Sequence, residues 1–101
     1  MARKVDYSTS ALRDIEQMRG WLSQRGAGAR AKERIRLILK AIRTLGQDPV
    51  LWPIGAEPGT RERIIEEYTV VYSVSPDTND RRTAGDVHIL RLYGPGQDRP
   101  R

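Results

Sequence analysis

The chain contains no cysteine and only one histidine among its 101 residues. Without cysteine it has no disulfide bonds, no thiolate zinc site and no cysteine nucleophile. No apolar run approaches the ~20 residues that a membrane-spanning helix needs, and the start of the chain lacks the apolar stretch of a signal peptide. We therefore expect a cytoplasmic protein.

Two kinds of functional motif are also missing. No glycine-rich loop of the phosphate-binding pattern follows a predicted strand, and no group of histidine, aspartate and glutamate residues has the spacing of metal ligands. The sequence thus predicts neither a cofactor nor a metal. His88 makes acid–base catalysis chemically possible, but its alternation with Val87 and Ile89 favours a solvated or hydrogen-bonded position on a strand.

The composition is that of a globular domain, with 38% hydrophobic and 31% charged residues and a net charge of +5. The positive charge is concentrated in residues 1–50, which hold eleven Lys and Arg against five Asp and Glu. Such a half attracts nucleic acids and acidic proteins equally, so charge alone does not identify a partner. We expect a single domain over residues 1–96 and a polar, flexible tail over residues 97–101.

The first half of the chain has the pattern of a short strand followed by two helices. Val5 and Tyr7 alternate with polar residues, and the hydroxyl side chains of residues 8–10 are candidate N-caps. Apolar residues then recur every three or four positions, at Ala11, Ile15, Met18 and Leu22, and at Ala31, Ile35, Ile38, Ile42 and Leu45. The pattern predicts helices from about residue 9 to Gln24 and from the glycine link at 26–28 to Gly46, folded as an antiparallel hairpin.

The second half of the chain changes to the period of β-strands. A loop rich in proline and glycine, residues 47–59, carries Trp52, which we expect at the rim of the sheet. Three alternating segments follow, over residues 61–66, 68–75 and 87–93. The order β-α-α-β-β-β predicts an α+β fold in which the helical hairpin packs on one face of a small antiparallel sheet. Tyr68 and Tyr72 are predicted to lie in its core.

Three segments carry a resemblance to a known family: Arg61-Glu62-Arg63-Ile64-Ile65, Tyr68-Thr69-Val70-Val71-Tyr72, and Ile89-Leu90-Arg91-Leu92-Tyr93-Gly94. Together with the preceding strand and basic helical hairpin, they resemble the RelE/ParE toxins of type II toxin–antitoxin systems over nearly the whole chain. The resemblance implies growth arrest by the free toxin. It also implies a hetero-oligomer with a small ParD-like antitoxin, part of which folds as it wraps the domain.

The family contains two activities, and Thr69 bears on the choice between them. RelE-type members are ribosome-dependent messenger ribonucleases, which need cations for the phosphate charge. They typically have an arginine at the position of Thr69 and further basic residues where this chain has Gly94-Pro95-Gly96. We therefore favour the ParE-like branch, which acts by binding DNA gyrase. The alternatives are a ribonuclease using Arg61, Arg63, Arg91 and Tyr93, or a non-toxic basic binding domain.

Candidate binding residues follow from these patterns. The residues predicted to bind the target are Arg61, Arg63, Arg91, Tyr93 and Arg99. If the strands are in suitable register, the guanidinium groups of Arg61, Arg63 and Arg91 gather as an anion site. The alternative is that these arginines pair with carboxylates of the strands and that Tyr93 closes the core. For the antitoxin, the prediction comprises Leu12, Trp21, Arg34, Leu39 and Trp52. The basic residues of the second helix cover much of its polar circumference, which favours a solvated face whose field attracts an acidic antitoxin.

Overall fold

The computed structural model describes residues 3–24 and 28–95. It contains β1 (Val5–Tyr7), α1 (Thr9–Leu22), α2 (Gly28–Thr44), β2 (Arg61–Ile65), β3 (Tyr68–Ser75) and β4 (Asp86–Tyr93). The predicted α+β class and element order are confirmed. The tail at 97–101, with Arg99, and most of the predicted glycine link lie outside the described residues. No helix within the described ranges is long and apolar enough to cross a bilayer.

The first helix begins and ends through local hydrogen bonds. The Ser8 hydroxyl accepts a hydrogen bond of 2.9 Å from the Ala11 amide, as an N-cap does. At the other end, the Ser23 amide donates to the Arg19 carbonyl and the Gln24 amide donates to the Trp21 carbonyl. Because this last turn tightens, the helix ends at Leu22, two residues before the predicted position.

The sheet has the strand order β1-β4-β3-β2. Strands β2, β3 and β4 form the predicted antiparallel meander, whereas β1 pairs with β4 in parallel, with Val5 opposite Val87 and Tyr7 opposite Ile89. The helical hairpin carries the chain from β1 across to the far edge of the sheet. The meander then returns to β1 with β4 running in the same direction, which is why this single pair departs from an antiparallel sheet.

The two sides of the sheet differ in what covers them. The helices pack on one side, where Tyr68 and Tyr72 are buried in the core as predicted. We call the other side the open face. Strand pairing places these residues on it: Asp6, Glu62, Ile64, Thr69, Val71, Ser73, His88, Arg91 and Tyr93.

A β-bulge changes the phase of the last strand. Tyr72 pairs with Ile89, but the neighbouring Val71 pairs with Arg91, so Leu90 is an extra residue in β4. Ile89 consequently faces the helices while Arg91 lies on the open face, although simple alternation would put both on one side. The bulge therefore decides which side of the sheet carries the last arginine.

Candidate functional site

The guanidinium of Arg61 joins two loops beneath the surface. The residue is 4% exposed. Its Nε and Nη2 atoms donate to the Asp77 carboxylate at 2.7 and 3.0 Å, and Nη1 donates to the Trp52 carbonyl at 2.7 Å. Nη2 also donates to Asn79 Oδ1 at 3.0 Å. These hydrogen bonds hold the pKa of Asp77 below its usual value and leave little of the guanidinium for a ligand.

Arg63 fastens the end of α2 to the loop before the sheet. Its guanidinium lies 4.2 Å from the centre of the Trp52 ring. Nη1 donates to the Ala41 carbonyl at 3.1 Å and to the Thr44 hydroxyl at 3.2 Å. Burial lowers the pKa of Arg63 from its ordinary value. Trp52 is half-buried and packs against the core.

Arg91 is held from the first helix. Its Nε and Nη2 atoms donate to the Asp14 carboxylate at 2.8 and 3.3 Å, which raises the pKa of Arg91. The buried Asp14 also accepts from the Leu92 amide at 2.9 Å. The Arg91 guanidinium also lies 4.8 Å from the centre of the Tyr93 ring. Asp14 thereby holds both the end of β4 and its partly buried arginine.

The structure does not bring the three predicted arginines together. Arg61 and Arg63 share the helix-covered side, as their alternation predicted, but the bulge turns Arg91 to the open face. The anion site expected from all three is therefore wrong. Tyr93 is 5% exposed and lies directly opposite Thr69. The open face thus unites Arg91, Tyr93 and the threonine that stands where ribonuclease relatives have an arginine.

Sequence reasoning missed the carboxylates that hold these arginines. Asp14 lies three residues after Ala11 and four before Met18, so it sits within the apolar stripe of α1. A charged residue in that stripe is a recognisable signal of a buried ion pair. Asp77 carried no comparable signal, because it lies in a polar loop.

His88 makes the hydrogen bond that its strand position favoured. Its Nδ1 atom lies 2.7 Å from Asp6 Oδ1, across the parallel pair of strands on the open face. Within the described residues, no three histidine, aspartate or glutamate side chains are grouped to hold a metal ion.

A groove runs between the two helices and brings together two of the predicted antitoxin-binding residues. We call this cleft of about 350 Å³ the helix groove; it is lined by Tyr7, Leu12, Ile15, Glu16, Arg19, Leu39 and Arg43. The Leu12 side chain is 52% exposed. An apolar floor between two arginines is a surface that suits an amphipathic segment with acidic residues.

The other predicted antitoxin-binding residues lie elsewhere. Trp21, 65% exposed, lines a second cleft of about 480 Å³ with Met18, Tyr68 and Pro95. Arg34 instead donates from Nη2 to the Glu66 carbonyl at 2.9 Å, at the turn between β2 and β3. Trp52 lies against Arg63. Of the five predicted antitoxin-binding residues, Leu12 and Leu39 therefore share one groove.

Comparison with known proteins agrees with this architecture. A solved structure described as the chromosomal ParDE toxin–antitoxin system from P. aeruginosa superposes with a TM-score of 0.70 at 14% sequence identity. The alignment covers 92% of this chain and 96% of that one, and at this identity it shows a shared fold. No curated protein sequence matches significantly. The family model of the ParE toxin of the type II toxin–antitoxin system parDE matches residues 5–93. The chain therefore belongs to the ParE toxin family.

Proposed function

We propose that this toxin acts by binding DNA gyrase and that a ParD-like antitoxin neutralises it. The main support for this proposal is the chemistry of the open face. Arg91, the arginine that the described strands place on it, is already paired with Asp14, and the uncharged Thr69 lies opposite Tyr93. Family membership supports the toxin class, and the ParDE assembly of the solved relative supports an antitoxin of the ParD type.

The same face is poorly equipped to cleave RNA. Without a metal, phosphodiester cleavage needs cationic groups that stabilise the charge developing on phosphorus. The hydroxyl of Thr69 carries no charge, and the Asp14 carboxylate offsets the positive charge of Arg91. Binding has different requirements: a held arginine against an aromatic ring is a preorganised anchor of the kind found at the centre of protein interfaces.

Gyrase assays with the purified toxin test this proposal. We expect loss of supercoiling together with accumulation of cleaved DNA. Arg91→Ala is expected to weaken both effects, whereas Arg13→Ala, at an exposed position of α1, serves as the matched control. Normal supercoiling without trapped cleavage at a large excess of toxin would rule the proposal out. Site-defined cuts in ribosome-bound messages would establish the ribonuclease instead.

We place the antitoxin contact in the helix groove. Its floor contains Leu12 and Leu39, and Arg19 and Arg43 stand beside it. An acidic amphipathic segment would bury apolar side chains against the leucines while the arginines speed its association. The rate of association is accordingly expected to fall as the salt concentration rises.

Two matched substitutions test the groove. Leu12→Glu puts a carboxylate into its apolar floor, and we expect the antitoxin dissociation constant to rise at least about tenfold. Leu51→Glu is the control, because Leu51 is 64% exposed and lies outside the groove. Titration calorimetry with a ParD-like antitoxin measures both. Equal losses of affinity in the two variants would contradict a specific contact at Leu12.

A further inference from the structure

The solvent-facing side of α2 carries a continuous row of cations. Lys32, Arg36, Lys40 and Arg43 follow one another at spacings of four, four and three residues, which places them on one face of the helix. All four are exposed. We call them the α2 stripe. At about 1.5 Å per residue, the stripe is roughly 16 Å long.

Packing separates this stripe from the other basic residues of the helix. The buried residues of α2 are Ala31, Ile38, Ala41 and Ile42, which face the core. Arg34 turns toward the sheet and donates to the Glu66 carbonyl. Of the six basic residues of α2, four therefore form one exposed row, Arg34 makes a structural contact, and the exposed Arg30 lies outside the row.

The cations of the stripe are available to an anionic partner. Within residues 3–24 and 28–95, the side chains of Lys32, Lys40 and Arg43 make no hydrogen bond or ion pair. Arg36 pairs with Glu33, one helical turn away, with Nε 3.0 Å from Oε2. Both side chains of that pair are more than half exposed, so exchanging the carboxylate for another anion costs little.

The composition of the stripe favours nucleic acid over protein. On one flank of the stripe, Ala29 and Glu33 offer no large apolar or aromatic anchor of the kind that protein interfaces need. On the other flank Leu39 is partly buried and belongs to the helix groove, which Arg43 also lines. A phosphate backbone requires only cations. Single strands are usually bound by stacking bases on aromatic residues, and the stripe has none.

We propose that the α2 stripe binds the phosphate backbone of duplex nucleic acid without reading its sequence. Cations four residues apart rise about 6 Å along the helix, and a DNA strand presents one phosphate per ~3.4 Å of its axis, so each cation has a phosphate within reach. The proposal does not depend on the identity of the protein target. It goes beyond gyrase inhibition, because it gives the toxin a DNA contact of its own.

Fluorescence anisotropy with a labelled duplex tests the stripe. Wild-type protein is expected to bind a duplex of about 20 base pairs at about 50 mM NaCl, with log K falling against log salt at a slope of roughly −3.6 for four contacts. In the variant Lys32→Gln, Arg36→Gln, Lys40→Gln, we expect affinity to fall at least tenfold and the slope to approach about −0.9. Thermal unfolding confirms that the variant is folded.

A second triple variant separates the stripe from general charge. Arg13→Gln, Arg81→Gln and Arg82→Gln remove the same charge from exposed positions outside α2, and we expect the salt slope to stay unchanged. Equal losses in both triples, or no wild-type binding at low salt, would overturn the proposal. Equal, stripe-dependent affinity for polyglutamate would overturn it too. Equal binding of duplex RNA supports it, since both duplexes share the phosphate backbone.

Discussion

The arginines of the sheet and the basic residues of α2 have the same charge but opposite surroundings. Arg61 is 4% exposed and binds a carboxylate, an amide and backbone carbonyls, while Arg91 is held by Asp14. On the α2 stripe, by contrast, the cations face solvent. A guanidinium removed from water needs partners for its donors, so it becomes a connector between elements. An exposed cation remains available to a binding partner.

Positive charge therefore has two separable uses in this toxin. The sheet arginines are expected to determine stability, because removing one leaves buried polar groups without partners. The exposed helix cations are expected to affect binding with little effect on folding. Measuring stability and binding in the same variants tests whether the two uses are separable.

The largest loss of stability is expected at Arg61. Arg61→Ala removes the guanidinium that donates to the Asp77 carboxylate and to the Trp52 carbonyl, and we expect the free energy of unfolding to fall by about 3 kcal/mol. Arg82→Ala is the matched control, since Arg82 makes an exposed pair with Asp80 in the same loop and should cost less than about 0.5 kcal/mol. Urea unfolding measures both. Comparable losses would mean that burial does not distinguish these arginines.

A smaller loss is expected at Asp14. Asp14→Ala leaves the buried Leu92 amide without an acceptor and frees Arg91, so we expect a loss of about 2 kcal/mol. Faster amide hydrogen exchange at Leu92 should accompany it. Glu16→Ala, two residues along the same helix but exposed, is expected to leave stability and exchange unchanged. Unaltered exchange at Leu92 in Asp14→Ala would contradict the anchoring role.

Acid should weaken the Arg61 connection through Asp77. The folded-state pKa of Asp77 lies below its ordinary value of 3.8, because Arg61 donates to its carboxylate. A carboxyl with a lowered pKa stabilises the fold above its unfolded-state pKa, and this contribution is lost as pH falls from about 4 through the folded-state pKa. Asp77→Asn should therefore be less stable at pH 7 and lose less stability on acidification.

The acid effect is measured by urea unfolding between neutral pH and about pH 2.5, a range that spans the ordinary pKa of aspartate. Glu33→Gln is the control, because Glu33 forms an exposed pair with Arg36 on α2. It should follow the wild-type pH dependence closely. An unchanged pH dependence in Asp77→Asn would show that the Arg61 contact does not set the acid stability of the fold.

Local patterns in the sequence predicted the fold well. The apolar stripe of α1 and the alternation around Arg61 and Arg63 depend only on helical and strand periods, and both match the structure. The position of Arg91 could not be derived this way, because Leu90 adds one residue to β4 and reverses the alternation after it. A bulge depends on how two strands pair, which is information that one strand does not contain.

The partners of the arginines were harder to predict because they are distant in sequence. Asp14 and Arg91 are 77 positions apart and meet only when α1 packs beside β4. Asp77 reaches Arg61 only because the loop after β3 folds back over β2. Similarly, Arg34 could be separated from the α2 stripe only in the folded structure, where it donates to the Glu66 carbonyl.

The smallest effect on stability is expected at the α2 stripe, where the two uses of charge should separate most cleanly. Lys40→Ala removes an exposed side chain and substitutes a good helix former, so the free energy of unfolding should change by less than about 0.5 kcal/mol. The same variant should reduce the salt slope of DNA binding by about 0.9, the share of one phosphate contact. A loss of stability above about 1 kcal/mol would show instead that Lys40 makes a structural contact, because substitutions of exposed residues seldom cost that much.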